Sequence, residues 1–331
     1  MDTTSTSAYP FVSTGDLPTP EDVGALVAEA HARFGNVPDG DVSQVYPALA
    51  RMPANLFGIC IVSATGRVYE AGDADHPFSI MSVSKPFVFA LVCQELGPDA
   101  VRDKVGANST GLPFNSLAAV EVSADGRTNP MVNAGAIATT SLAPGSDGGE
   151  RWRFLHEGLS RFCGHDLAMN DEVCASARQT NFRNRGIVNL LHSLGRVYCD
   201  PAEAVDLYTR QCSLNVSAKD LAVMGATLAD GGVNPLTGER VVDPEVCHYT
   251  LAVMATAGLY ETSGDWLYDI GLPGKSGIGG GIVTVSPGKG GLGTFAPPLD
   301  AAGNSVKGQL AARFLSQSLG MDLFVSAPRR Q

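Results

Sequence analysis

Residues 78–92 read FSIMSVSKPFVFALV, with a serine and a lysine three positions apart at the start of an apolar run. Residues at i and i+3 share one face of a helix, so the Ser82 hydroxyl and the Lys85 amine can meet. Pro86 is compatible with this helix because proline is tolerated in the first turn. The apolar run 87–93 is typical of a buried helix, and burial would lower the pKa of Lys85 and let it act as a neutral base. A serine beside such a base is a candidate nucleophile.

The pattern S-x-x-K is also the signature of penicillin-binding proteins and class A β-lactamases. Alone it is weak, since an N-cap serine followed by a solvated lysine fits it equally well. A second motif adds to it: Lys275, Ser276 and Gly277 form the K-[ST]-G triad that lines the site of S-x-x-K enzymes on an edge strand. The two motifs occur in the order that such enzymes show. We therefore expect this triad to begin a glycine-rich strand beside Ser82.

The composition narrows the class of protein and of partner. A chain of 331 residues is long enough for one large domain or two smaller ones. A net charge of −11 argues against a nucleic acid or an anionic membrane as partner. No apolar run reaches 18 residues, the length that a membrane span needs. The first 20 residues are rich in Thr, Ser and Pro, contain no signal-peptide pattern, and are predicted to form a mobile arm.

The cysteines and histidines give no pattern of a metal site. The seven cysteines are odd in number and form no C-x-x-C pair, which favours reduced thiols in a cytoplasm over disulfides or a zinc site. The six histidines are scattered. The run 274–276 resembles the end of a phosphate-binding P-loop, but Asp269 stands where that motif needs glycine. We therefore predict neither a metal nor a cofactor.

Apolar periodicity and turn residues predict a sheet interrupted by a helical region. The predicted elements are a helix at 21–34, two strands within 56–69, helices including 185–194 and 218–228, strands at 277–286 and 291–295, and a last helix at 303–319. Residues 21–331 are expected to form a single domain after the arm 1–20. Its α/β part covers about 21–98 and 241–331, and its helical part about 99–240. The predicted fold class is α/β (α+β), a mainly antiparallel sheet flanked by helices with an inserted helical subdomain.

The segment Asn129–Ile137, which reads NPMVNAGAI, makes the interpretation specific. With it, the chain resembles the glutaminase family of serine-dependent amidohydrolases, which has a β-lactamase-like fold. The resemblance runs from about Val42 to Phe324. It rests on Ser82–Lys85, Asn129–Ile137, Arg183–Arg185, Tyr208, Gly258–Tyr260, Leu272–Gly277 and Pro298–Gly308.

The resemblance implies a role for each matching residue. Ser82 is the nucleophile, Lys85 its base, and Tyr260 relays protons to the leaving amine and from the hydrolytic water. The backbone N–H groups of Ser82 and Ile278 form the oxyanion hole. The implied substrate contacts are Asn133, Asn184 and Tyr208. Without the resemblance, ordinary structural roles fit four residues equally well. Asn133 fits a turn former, Asn184 a surface residue, Tyr208 a core residue and Tyr260 a strand or loop anchor.

Three positions depart from the family pattern. Met81 replaces a glutamine, Ala177 replaces a glutamate, and Val45 replaces a tyrosine, with Tyr46 one position later. In the family these residues hold the α-amino and α-carboxylate end of glutamine. Val, Met and Ala side chains make no such hydrogen bonds, each of which contributes roughly 1.5–3 kcal/mol when a charged group takes part. Either the substrate differs, or the changes are neutral and Tyr46 compensates.

The leading hypothesis is a serine amidohydrolase that releases ammonia from a small primary amide, with glutamine as the implied substrate, through an acyl-enzyme on Ser82. The resemblance also implies a homo-oligomer, a dimer or a tetramer. The first alternative is hydrolysis of a different primary amide. The second is a β-lactam-reactive enzyme or a non-catalytic binding protein, and retention of Ser82, Lys85 and Tyr260 argues against the latter.

Overall fold

The computed structural model describes residues 17–325. Residues 1–16 of the predicted arm 1–20 lie outside the described residues. Helix α1 (Pro20–Phe34) begins at residue 20, the last residue of the predicted arm. Thr19 caps this helix, since its hydroxyl accepts from the Asp22 N–H. The helix predicted at 21–34 is confirmed.

The centre of the described chain is a five-stranded antiparallel sheet, in the order β3-β2-β8-β7-β6. Two further strand pairs flank it, β1 with β9 and β4 with β5. The strands are β1 (Asp41–Val42), β2 (Gly58–Ser63), β3 (Val68–Gly72), β4 (Phe78–Ser79), β5 (Asn215–Val216), β6 (Gly274–Ser276), β7 (Gly281–Ser286), β8 (Gly290–Phe295) and β9 (Pro298–Leu299). Strands β2, β7 and β8 are buried along their whole length, so helices cover both faces.

Helices α1 and α14 pack on one face of the sheet, and α11 packs on the strands β2, β7 and β8. The helices after α1 are α2 (Pro47–Ala50), α3 (Ser84–Leu96), α4 (Pro98–Val105), α5 (Ala118–Glu121), α6 (Asn133–Ser141), α7 (Gly148–Cys163), α8 (Asp171–Thr180), α9 (Phe182–Ser193), α10 (Pro201–Cys212), α11 (Ala218–Ala229), α12 (Pro244–Ala257), α13 (Ser263–Ile270) and α14 (Val306–Ser318). The strands predicted within 56–69 and the helices predicted at 185–194 and 218–228 are confirmed by β2, β3, α9 and α11.

Helix α3 packs among other helices and carries the SVSK motif at its start. Its residues Ser84–Cys93 are all buried, and it contacts α4, α6, α7 and α12. This burial on every side explains why the segment has an apolar run rather than an amphipathic stripe. The α-helix begins at Ser84, after a 3-10 turn at Met81–Val83.

Two predicted boundaries are wrong. The strand predicted at 277–286 begins four residues later, because β6 ends at Ser276, before the predicted start, and β7 begins at Gly281. A turn closed by the Gly280 N–H on the Gly277 carbonyl (3.0 Å) separates them, and Gly280 has a φ of 95° that glycine adopts without strain. The last helix begins at Val306 rather than 303, since the Ser305 hydroxyl caps it by accepting from the Gly308 N–H.

Candidate active site

Ser82 lies in the 3-10 turn that joins β4 to α3 and is 7% exposed. The residue before it, Met81, has a φ of 48°, in the left-handed region that non-glycine residues rarely adopt. The Met81 carbonyl accepts a hydrogen bond from the Ser84 hydroxyl (2.8 Å), which holds the turn. The sharp turn therefore places the Ser82 side chain at the wall of a cavity described below.

Lys85 is fully buried in the first turn of α3. Its Nζ donates to the Met131 carbonyl (3.2 Å) and to Asn133 Oδ1 (2.8 Å). Burial lowers the pKa of Lys85 to about 7. A neutral amine has two N–H bonds, and these two acceptors use both, so one lone pair is left.

Ser82 Oγ and Lys85 Nζ share no hydrogen bond among those of residues 17–325. Catalytic hydrogen bonds are often long before substrate binds and tighten in the complex. The pairing of the two groups stays a prediction.

Tyr260 follows the end of α12 and also has a left-handed backbone, with a φ of 55°. Its hydroxyl donates to the Ser276 carbonyl (3.2 Å), and its ring packs against Phe114 with a centroid distance of 4.4 Å. Burial raises the pKa of Tyr260 above its usual value, and the Ser82 hydroxyl beside it offsets part of the rise. The tyrosine is thus a neutral donor next to Ser82.

Lys275 ties the edge strand β6 to the end of α12. It is fully buried, and its Nζ donates to the Gly258 carbonyl (2.8 Å) and to the Ser276 carbonyl (2.6 Å). Burial, and then the charge of Lys85, hold the pKa of Lys275 well below its ordinary value. Since Ser276 accepts from both Lys275 and Tyr260, this carbonyl fixes the tyrosine hydroxyl relative to the strand.

The backbone N–H groups of Ser82 and Ile278 have no backbone acceptor in the described part of the chain. Gly277 lies between them, and a Cβ there would be 3.0 Å from the Ile80 carbonyl and 3.3 Å from the Ser82 nitrogen. Only glycine lets the strand end approach the turn so closely. Two free donors at this place are the arrangement that an oxyanion hole requires, and that role stays a prediction.

A cavity of about 180 Å³ opens beside Ser82. Its wall contains eight residues that the sequence singled out: Val45, Met81, Ser82, Asn133, Ala177, Asn184, Tyr208 and Ile278. Five others do not line the cavity: Lys85, Tyr260, Lys275, Ser276 and Gly277. The structure therefore brings the predicted substrate-binding positions together in one cavity with Ser82.

An amide network joins Lys85 to the far side of the cavity. Asn133 Oδ1 accepts from Lys85 Nζ and from the Tyr208 hydroxyl (3.1 Å). Asn133 Nδ2 donates to Asn184 Oδ1 (3.0 Å). Burial raises the pKa of Tyr208 well above its usual value, so this tyrosine stays a donor. A change in the charge of Lys85 therefore reaches Asn184 through two hydrogen bonds.

Sequence reasoning missed several residues of the cavity wall. They are Phe114, Asn115, Thr180, Asn181, Arg183, Thr209, Cys212 and Ser213. Asn181 had a local signal, since it lies four residues after Ala177, and Arg183 had one as the neighbour of Asn184. Phe114 and Asn115 had none, because they reach the cavity on a loop after α4 whose course depends on packing.

Comparisons with known proteins decide the family. A model of the glutaminase family matches residues 40–324. A protein of Yersinia pestis named Glutaminase 2 is 71% identical over 318 residues, which cover 96% of this chain and 94% of the relative. A glutaminase of Desulfovibrio desulfuricans is 45% identical over 93% of this chain and 99% of the relative.

The chain belongs to the glutaminase family.

Solved structures of glutaminases share the whole architecture. The structure of a probable glutaminase, ybaS, matches with a TM-score of 0.92 at 45% identity and covers 93% of this chain and all of that one. A Bacillus glutaminase matches with a TM-score of 0.82 at 29% identity, over 91% of this chain and 99% of that one. The fold is therefore the β-lactamase-like fold of the glutaminases, as the resemblance implied.

The comparisons do not favour the alternatives to a glutaminase, namely a hydrolase of a different primary amide, a β-lactam-reactive enzyme or a non-catalytic binding protein. The three departures from the family pattern nevertheless line the glutaminase cavity: Met81 is 4% exposed, Ala177 is 5% exposed, and Val45 is exposed at its mouth. Tyr46 also lines the cavity, and burial raises its pKa to about 12. All four positions thus remain candidates for contact with the substrate.

Within 17–325, no group of three or more His, Cys, Asp or Glu side chains has the geometry to hold a metal ion. None of the helices in the same range is long and apolar enough to cross a bilayer.

Proposed function

We propose that this protein hydrolyses L-glutamine to L-glutamate and ammonia through an acyl-enzyme on Ser82. The observation that carries the proposal is the buried amine of Lys85, one helical turn after a serine at a cavity wall, whose pKa burial lowers to about 7. Membership of the glutaminase family supports glutamine as the substrate.

In the first half-reaction, neutral Lys85 takes the proton of Ser82 Oγ, and the oxygen forms a bond to the amide carbon. The N–H groups of Ser82 and Ile278 stabilise the negative oxygen of the tetrahedral intermediate. Lys85 then passes its proton through the Tyr260 hydroxyl to the amide nitrogen. The C–N bond breaks, and the nitrogen leaves as ammonia. The product of this half is an ester on Ser82.

In the second half-reaction, water attacks the ester carbon, and its proton passes through Tyr260 to Lys85. The same N–H groups stabilise the second tetrahedral intermediate. The bond to Ser82 Oγ breaks, the serine regains the proton from Lys85, and glutamate leaves. Every proton that Lys85 accepts is therefore returned within one turnover.

The test is ammonia release from glutamine by the wild type and by Ser82→Ala, with mass spectrometry of acid-quenched protein to detect an acyl group on the peptide that contains Ser82. The wild type should release ammonia and Ser82→Ala should not. Ser79→Ala is the matched control, because it removes a nearby buried hydroxyl that has no hydrogen-bond partner in the described chain. Undiminished ammonia release by Ser82→Ala would refute the acyl-enzyme.

We also infer a cytoplasmic location and a homo-oligomeric state. All seven cysteines are free thiols, which suits a reducing compartment. The exposed aromatic rings of Phe182 (70%) and Tyr268 (92%) offer apolar surface for self-association. Cell fractionation and light scattering on the purified protein test these two inferences.

A further inference from the structure

The amide network of the cavity leaves a hydrogen-bond donor facing the substrate. Asn133 Oδ1 accepts from Lys85 Nζ and from the Tyr208 hydroxyl, and Asn133 Nδ2 donates to Asn184 Oδ1. Asn184 Oδ1 therefore already accepts one hydrogen bond, and its Nδ2 has no acceptor among the described residues. Because Asn184 lines the cavity, a ligand there meets an N–H₂ group, which suits an anionic or carbonyl oxygen.

The charge at the cavity wall has one sign. Arg183 is the charged side chain of the wall, and its Nε donates to the Asn115 carbonyl (2.6 Å). The rest of its guanidinium forms no ion pair with a carboxylate of residues 17–325. Lys85 and Lys275 do not line the cavity, and burial lowers the pKa of both, so they add little positive charge near neutral pH. Although the whole chain has a net charge of −11, no Asp or Glu of the described residues lines this cavity.

The cavity wall would stabilise a carboxylate more than an ammonium group. A carboxylate would gain charge-assisted hydrogen bonds from Arg183 and Asn184 in exchange for the water it loses. An ammonium would lose water and meet no carboxylate, and an ionised group removed from water without a counter-charge is strongly disfavoured. The wall beside it is apolar, with Met81 and Ala177.

We infer that the cavity recognises the carboxylate of its substrate and not the α-ammonium group. The substrate class is then the ω-monoamides of dicarboxylic acids, with or without an α-amino group, and glutamine is one member. The inference rests on the proposed amide hydrolysis at Ser82 for its chemistry and extends it to the choice of substrate.

The wall holds several neutral acceptors, and the amide oxygen of Asn181 is one of them. Asn181 Nδ2 donates to the Thr209 hydroxyl (3.0 Å), and Asn181 Oδ1 is buried without a donor in the described chain. A single neutral amide oxygen stabilises an ammonium less than a carboxylate does. If Asn181 nevertheless held the ammonium, glutaramate would fall well below glutamine in the experiment below.

The experiment compares three amides of matched length by steady-state ammonia release. Glutamine has both charged groups, glutaramate has only the carboxylate, and 4-aminobutanamide has only the ammonium. We expect kcat/KM for glutaramate within about tenfold of glutamine, and for 4-aminobutanamide at least about a hundredfold lower, the loss of roughly two hydrogen bonds to a charged group. A kcat/KM for glutaramate at least about a hundredfold below that for glutamine, or below that for 4-aminobutanamide, would overturn the inference.

Substitutions at two positions locate the effect. Arg183→Gln should raise KM about tenfold for glutamine and glutaramate, as for one lost charged hydrogen bond, and leave 4-aminobutanamide unchanged. Ala177→Glu places a carboxylate in the wall and should shift the preference towards 4-aminobutanamide at the expense of glutaramate. Ala177→Gln is its uncharged control and should not shift this preference. An equal shift by Gln and Glu would show that size rather than charge decides, against the inference.

Binding to Ser82→Ala separates this inference from the proposed function, because calorimetry measures recognition without turnover. Tighter binding of glutaramate than of 4-aminobutanamide supports the inference even if the wild type releases no ammonia, in which case the proposed function alone fails. If the wild type hydrolyses glutamine while Ser82→Ala binds 4-aminobutanamide more tightly, the inference alone fails.

Discussion

At the scale of single residues, two side chains beside the cavity sit on strained backbone. Met81 and Tyr260 are the non-glycine residues with positive φ in the described part of the chain. Such a conformation costs on the order of 1–3 kcal/mol and persists only where the surroundings fix it. In both cases the hydroxyl of a serine three residues later donates a hydrogen bond to the carbonyl of the strained residue. Ser84 donates to Met81 and Ser263 donates to Tyr260, each at 2.8 Å. The same kind of local hydrogen bond therefore holds the backbone of Met81 and of Tyr260.

Tyr260→Phe tests the proton relay. The variant removes the hydroxyl that donates to Ser276 and keeps the ring that packs on Phe114, so the fold should persist. We expect kcat to fall by about 10²–10⁴, the usual contribution of a positioned proton donor. The control is Tyr268→Phe, whose ring is 92% exposed and which should retain the wild-type rate. A Tyr260→Phe enzyme with wild-type kcat would exclude the relay.

The pH dependence of the rate tests Lys85 as the base. Burial lowers the pKa of Lys85 to about 7, and only its neutral form accepts a proton. Activity should therefore rise with pH through about 7, level off in mild alkali, and fall about tenfold for each unit of pH below the pKa. Lys85→Arg, which stays charged at every pH tested, should be inactive throughout. A pH–rate profile that falls steadily above about pH 6 would count against Lys85.

At the scale of elements, the packing of α11 on the sheet depends on glycines of β8. A Cβ at Gly293 would overlap the Ala218 carbonyl, and one at Gly291 would overlap the Ala222 carbonyl. The backbone of α11 therefore packs directly against the backbone of β8, because glycine has no side chain to separate them. This contact holds β8 against β7, which pairs with the edge strand β6 of the candidate site.

Gly293→Ala should lower the free energy of unfolding by at least about 2 kcal/mol, because neither backbone can move away from the added methyl group. Gly186→Ala is the matched control. Gly186 lies within α9 with nothing near its Cβ position, so alanine there should stabilise the protein by roughly 0.5–1 kcal/mol. Urea denaturation of both variants measures the difference. Equal stability of Gly293→Ala and wild type would contradict the packing argument.

At the scale of the whole molecule, the candidate site lies where the sheet edge meets the helical part. Strand β6 supplies Lys275 and Ser276, α3 supplies Lys85, and helices α6 and α9 begin near the cavity with Asn133 and Asn184. The site thus draws on both parts of the predicted domain.

The rate should not depend on a metal ion. The proposed steps use a lysine, a tyrosine and backbone donors, and residues 17–325 hold no cluster of metal ligands. Dialysis against a chelator should leave kcat unchanged with glutamine as substrate. Loss of turnover that a divalent cation restores would contradict this prediction.

The sequence by itself determined the local features. The sequence itself contains the spacing of Ser82 and Lys85. Periodicity and turn residues within short windows predict the helix α11 and the hairpin of β2 and β3. Only the tertiary structure decided that β6 ends at Ser276, that Arg183 and Asn181 line the cavity, and that Lys85 bonds to Asn133. These features depend on strand pairing and on burial by distant segments, and no local pattern in one sequence encodes the packing of residues that are far apart along the chain.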